Sequence, residues 1–200
     1  RMHADRFDRV VDLVVQALRR QFLPTEQAMM SLSALLENSQ FSPNAQLWSN
    51  HVRLVEPYLG PGVTGLGFAK RVPRSEADAV EAKMRQAGYP VFTVERDGTH
   101  DVLYLVANNA PLPANAGALG KDIASGTTRR EAAETAARRG TIELTRRIRI
   151  IEGDERLPGF LMFHPVYRGG AAPTDQAAGG EHIGWVYASI RPDLFFDDTT

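Results

Sequence analysis

Arg129 and Arg130 stand side by side in TTRREAAETAARRG, residues 127–140, where an amphipathic run begins. Thr128 and Glu131 have the three-residue spacing of a reciprocal helix cap. Gly140 can take the left-handed backbone that ends a helix. Both arginines therefore fall in the first turn of a predicted helix, beside N–H groups without intrahelical acceptors and at the positive end of the dipole. A cation costs about 0.3–1 kcal/mol there, and an anion relieves it. Arg146 raises a similar question, because it shares the parity of Ile142, Leu144, Ile148 and Ile150 on an otherwise apolar strand. A guanidinium is donor-only and, once buried, needs an acceptor. Asp122 or Glu131 would serve from within the chain; a ligand carboxylate or phosphate, held by two parallel N–H bonds, would serve from outside.

Other chemistry is weakly supported. Gly60-Pro61-Gly62-Val63-Thr64-Gly65 fits G-x-G-x-x-G, but no strand leads into it and a strand follows, which excludes a dinucleotide turn. Gly117 and Gly120-Lys121 are too closely spaced for a phosphate loop, and Asp122 occupies the position that needs Ser or Thr. His3, His51, His100, His164 and His182 show no ligand spacing, so neither a metal nor a cofactor is expected. Neither nucleophile motif nor catalytic carboxylate pair emerges, and an enzyme is not expected. The formal net charge of −1 gives no global field for nucleic acid. The locally basic segment 129–149 lacks the interleaved aromatics that single strands stack on. Without cysteine there are neither disulfides nor thiolate sites, and no apolar run reaches the roughly 20 residues of a membrane span. The chain starts within a helical pattern, without a signal peptide, as a piece of a longer protein would.

These residues need elements to hold them. Phe7, Val10, Val11, Val14, Val15, Leu18 and Phe22 recur at helical spacing, and Met29, Leu32, Leu35 and Leu36 resume the pattern beyond Pro24. One long helix kinked at Pro24, or two in line, is predicted. It either packs along its own domain or forms a stalk pairing with a second copy. A short helix over 44–55, a strand over 63–72, a helix over 75–86 starting at Ser75 and Asp78, and a buried strand over 102–107 follow. Beyond the helix ending at Gly140, residues 141–151 read as one long strand, and 159–167 and 184–190 as two more. The fold class is α+β, an antiparallel sheet with helices on one side.

Five ordered blocks now carry a likeness: GFAKRV (67–72); ALGKD (118–122); TRREA (128–132) with Ala136 and Gly140; Leu144-Thr145 through GFLMFHPVY (159–167); and GWVY (184–187). Over about residues 60–195 the chain resembles the CHASE family, the extracytoplasmic sensory domain of histidine kinases and nucleotide cyclases, plant cytokinin receptors included. The resemblance implies a PAS-like domain with a small-molecule pocket on a long N-terminal stalk, the stalk dimerising and emerging from a membrane span. It implies residues 1–58 as stalk and connecting helices, 59–195 as the ligand-binding domain, and 196–200 as a tail towards a membrane-proximal part. The periplasmic side of a plasma or inner membrane is the implied location, with a kinase or cyclase as output. Where cytokinin receptors hold their adenine-type ligand with an aspartate, this chain has Arg129, which cannot accept from an adenine N–H. The resemblance adds Ile123, Thr145, Ile151, Phe163 and Ala188 to the pocket, and Tyr104 is expected from the neighbouring strand. A compact organic anion at Arg129 is thus favoured over a cytokinin-like purine. The alternative is a ligand-free dimerisation or protein-interaction module whose pocket its own side chains fill.

Overall fold

The computed structural model describes the backbone of residues 2–96, 98–152, 155–174 and 179–195, and side chains from 20 to 194 among them. The expected stripe from Phe7 to Leu18 and the tail 196–200 therefore lie outside the described side chains. Helix α1 (Met2–Asn38) is a single helix with Pro24 inside it, about 55 Å long at 1.5 Å per residue. Its last third lies on its own domain. Thr25 is buried, and Ala28, Met29, Leu32 and Leu36 share one core with Trp48 and Val52 of α2 (Ala45–Val55). Asn44 caps α2 by accepting from the Leu47 N–H at 2.8 Å, and Trp48 Nε1 donates to the Leu66 carbonyl at 3.2 Å.

The sheet is antiparallel, with strands β1 (Val63–Pro73), β2 (Val102–Ala110), β3 (Glu143–Leu144), β4 (Ile148–Glu152), β5 (Glu155–Tyr167) and β6 (His182–Ile190). Its order is β2-β1-β6-β5-β3, and β4 pairs with the first half of β5. Helix α3 (Ala77–Gln86) follows β1, α4 (Thr127–Arg139) precedes β3, and α5 (Pro192–Phe195) follows β6. Strand alternation divides the interior in two. Leu66, Phe68, Leu103, Leu105, Met162, Val186 and Ala188 face α1 and α2. Trp185, Tyr187, Phe163, Tyr104 and Val106 face α4, which contributes Ala133 and Ala136. Helices thus cover both faces, not one. The stripe Met29-Leu32-Leu36 fits a helix partner or a sheet equally well, which is why the second layer was hidden in the sequence.

Two further expectations change. Residues 141–151 form two strands: Leu144 pairs with Met162 and Ile148 with Gly159, so residues 145–147 span what 160 and 161 span on β5. One extra residue reverses the alternation, as at a β-bulge, and removes Arg146 from the apolar parity. Helix α4 starts at Thr127 behind Gly126, with no side-chain cap bond, so the Thr128/Glu131 box does not form. Its end is as expected, with Gly140 left-handed (φ 66°) and its N–H on the Ala136 carbonyl at 2.9 Å.

His182, opening β6, lies edge-on to Trp185 with centroids 4.5 Å apart. Burial, the largest influence, holds its pKa down at about 4, against a hydrogen bond that the ring donates to the Gly184 backbone and with help from Arg71. Burial lowers His164 in the same direction. The fold therefore accommodates the neutral rings, while an unfolded chain takes up protons near pH 6.5. This contribution is complete above pH 6.5 and is lost as pH falls through about 4. Urea midpoints should be lower at pH 4.5 than at pH 7.5, with a smaller gap in His182→Gln; an unchanged gap assigns the loss to other groups.

Candidate functional site

The two arginines that open α4 have separate fates. Arg130 is consumed within the fold: Nε donates to the Ala124 carbonyl at 3.1 Å and Nη2 to the Val102 carbonyl at 3.2 Å. It also pairs with Asp122 at 3.4 Å and Glu134 at 3.7 Å, and its guanidinium lies 4.2 Å from the centre of the Tyr104 ring. Asp122 is buried, and its Oδ1 accepts from the N–H groups of Tyr104 (3.2 Å) and Ala124 (3.0 Å). That clamps segment 120–124 against β2, where Val106 N–H reaches Lys121 O and Ile123 N–H reaches Tyr104 O, both at 2.9 Å.

Arg129 is half-buried and has no carboxylate partner among the described residues. One of its Nη2 protons goes to the Arg149 carbonyl, which fixes the guanidinium and leaves its other donors open. Burial first, and the nearby charge of Arg156 second, lower its pKa. An anion would oppose both influences.

Arg129, with Lys121 and Ile151, borders two spaces. The outer one, about 580 Å³, is bounded by Glu95, Lys121, Asp122, Ser125, the start of α4 (126–128), Ile148, Arg149, Ile151 and Arg156. Lys121, Arg149 and Arg156, like Arg129, have no ion pair among the described residues; against these four cations stand Glu95, also unpaired, and Asp122, already met by Arg130. The rim is a positive mouth over unsatisfied helix N–H groups, the arrangement that favours anions. The inner space, about 60 Å³, lies between Ile123, Ile150, Ile151, Leu161, Asn109, Asn115, Tyr187 and Ser189.

Of the eight expected site residues, Arg129, Ile123 and Ile151 meet at these spaces. The other five do not. Ala188 lies on the α1 face, one residue out of phase with the cavity. Thr145 is buried at the bulge, where its Oγ1 accepts from the Leu161 N–H at 3.0 Å. Phe163 sits behind the cavity, its ring centroid 6.5 Å from that of Tyr187. Tyr104 turns to the other side of α4, donating to Glu134 at 3.0 Å, and burial with that carboxylate pushes its pKa up to about 12. Arg146 is in water, its side chain 87% exposed and 3.8 Å from Glu131. Tyr187, Asn109, Asn115, Lys121 and Arg156 were not anticipated. The strand phase of β6 could have found Tyr187, since Trp185 and Tyr187 share a parity opposite to Ala188. Among the described residues, no three His, Asp or Glu group as metal ligands.

An antiparallel sheet with helices on both faces and a small cavity at a helix start, borne on a long N-terminal helix, defines a stalked PAS-like sensory domain. The family model of the CHASE domain matches residues 46–200, and the chain belongs to that family. It is thus an extracytoplasmic sensory domain of a signalling receptor, a class that senses and does not catalyse. Among solved structures it is similar to one titled "Methyl-accepting Chemotaxis protein X", at 14% identity and TM-score 0.42, covering 96% of this chain and 67% of that one. No curated protein matches. No described helix is long and apolar enough to cross a membrane.

Proposed function

We propose that the domain is the input module of a membrane receptor and binds a compact organic anion, a carboxylate foremost, between Arg129 and the start of α4. The observation that carries this reading is the contrast between the two arginines: Arg130 is matched by Asp122 and Glu134, whereas Arg129 pairs with no carboxylate among the described residues and faces the cavity. Ile123 and Ile151 supply apolar wall for the ligand's body. The cavity lies on one face of the sheet and α1 on the other, so a change in the spacing of β5 and β6 on binding reaches the stalk directly. Coupling of this kind requires that the ligand bind two arrangements of the domain unequally. A homodimer through α1, attachment to the membrane and a kinase or cyclase output complete the reading.

The test is a thermal-shift screen of carboxylates, phosphates, amino acids and purines against the native domain and Arg129→Ala. A ligand at 100 times its Kd adds about 2.7 kcal/mol to stability. Loss of a charge-assisted pair should weaken binding by about 1.5–3 kcal/mol, roughly ten- to a hundredfold. Anions that stabilise both proteins equally would place the site elsewhere. A purine that binds best, or no hit at all, would favour respectively the cytokinin-like and the ligand-free alternatives.

A further inference from the structure

The inner chamber asks for more than negative charge. Tyr187 is 2% exposed, lines the chamber, and its Oη has no hydrogen-bond partner among the described residues. Leaving a buried hydroxyl unmet costs on the order of 1–3 kcal/mol, and buried polar groups are with few exceptions satisfied. Burial, the main influence, raises the phenol pKa well above its ordinary value, so the group is a proton donor at neutral pH. The amides beside it are engaged already. Asn109 Nδ2 donates to Asn115 O at 3.2 Å and its Oδ1 accepts from Ala110 N–H at 3.1 Å. Asn115 Nδ2 donates to the carbonyls of Thr64 and Pro111, each at 3.0 Å. Lys121, Arg129 and Ser189 bring further donors to the lining, but among the described residues the phenol is the fully buried one without a partner.

Space limits what can meet it. A water molecule's share of liquid volume is about 30 Å³, so a chamber of about 60 Å³ admits a group of very few heavy atoms beyond Arg129. The group must be polar at its tip, to accept from Tyr187, and lies beside Ile123 and Ile151 there. Arg129 borders both spaces, so an anion held by it has one side at the chamber and the other at the cationic rim.

Resting on the anion reading above, we propose that Tyr187 sets specificity: the ligand is a short oxygen-bearing acid. Its carboxylate lies at Arg129, and a hydroxyl or keto oxygen on the same small molecule enters the chamber to accept from Tyr187 Oη. Lys121, Arg149 and Arg156 outnumber the unpaired Glu95 at the rim, which further favours a second carboxylate pointing outward.

The experiment is calorimetric titration with matched pairs that differ in one hydroxyl, propanoate against lactate and succinate against malate. The proteins are the native domain, Tyr187→Phe and Arg129→Ala. In the native domain the hydroxy acid of a pair should bind about five- to tenfold tighter than its partner. Tyr187→Phe should erase that preference and leave the affinity for propanoate or succinate unchanged, while melting no lower than the native protein. Arg129→Ala should weaken both members. Equal affinities within each pair in the native domain, a uniform loss in Tyr187→Phe, or a marked fall in its melting temperature would overturn the specificity role and leave the anion reading intact. Acids that bind without regard to Arg129 would overturn the anion reading itself. Should no member of either pair bind, the class of short oxygen-bearing acids is ruled out.

Discussion

Replacing Asp122 by alanine should destabilise the domain by about 3–5 kcal/mol, the range for removing one partner from a buried charge pair. The carboxylate accepts from two backbone N–H groups, of Tyr104 and Ala124, and faces the Arg130 guanidinium, itself only 16% exposed. Alanine would leave all three donors without this acceptor, in an interior that water reaches poorly. Chemical denaturation of Asp122→Ala should show a midpoint shift with an unchanged slope, as expected when stability alone is altered. Asp122→Asn separates the contributions. Its side-chain carbonyl can keep both backbone bonds, whereas its charge is gone, so recovery of more than half of the loss would assign the larger part to the backbone clamp. A loss below about 1 kcal/mol in Asp122→Ala would mean that segment 120–124 is held by its β2 hydrogen bonds alone. The clamp bears on function because that segment carries Lys121 and Ile123 to the cavity.

Local signals in the chain were enough for some of this arrangement and not for the rest. Asn44, Gly140 and the alternation of β1, β2, β5 and β6 act within a few residues, and the elements they specify occur where periodicity predicts. G-x-G-x-x-G at 60–65 runs into a strand, with Gly65 inside β1, as its spacing predicts. What escaped depends on contacts between distant segments. Which of two adjacent arginines keeps its charge free is decided by Asp122, and the path of 120–124 along β2 places Asp122 against Arg130. A single added residue between Leu144 and Ile148 moved Arg146 into water and turned Thr145 into an anchor for Leu161. Counting along β6 from a family likeness landed on Ala188, one residue from the side chain that lines the chamber. In a period-two element a shift of one residue changes the face. The apolar second face of the sheet was legible only as a helix stripe without an address.

Gly67→Ala should cost about 3 kcal/mol, the upper end of the usual range for overpacking a filled core, and should also abolish ligand binding in the chamber. Gly67 on β1 stands opposite Tyr187 on β6, and a methyl there would come within 2.3 Å of the Tyr187 Cζ and 2.4 Å of its Oη. The glycine is what lets the aromatic ring lie flat across the neighbouring strand. Tyr187 has little room to retreat, since Phe163 stands 6.5 Å away between centroids. The opening available to it is the inner chamber, so the displaced ring should fill the space assigned to the ligand's oxygen. A double-mutant cycle distinguishes this from a general weakening of β1. With Tyr187→Ala already in place the added methyl has no ring to meet, and Gly67→Ala should then be close to neutral, giving a coupling of about 2–3 kcal/mol between the two positions. Additive losses would instead locate the penalty in the backbone of β1. The same cycle read by calorimetry should show Gly67→Ala alone losing the hydroxy-acid preference, because a ring pushed into the chamber removes both the donor's position and the volume it serves.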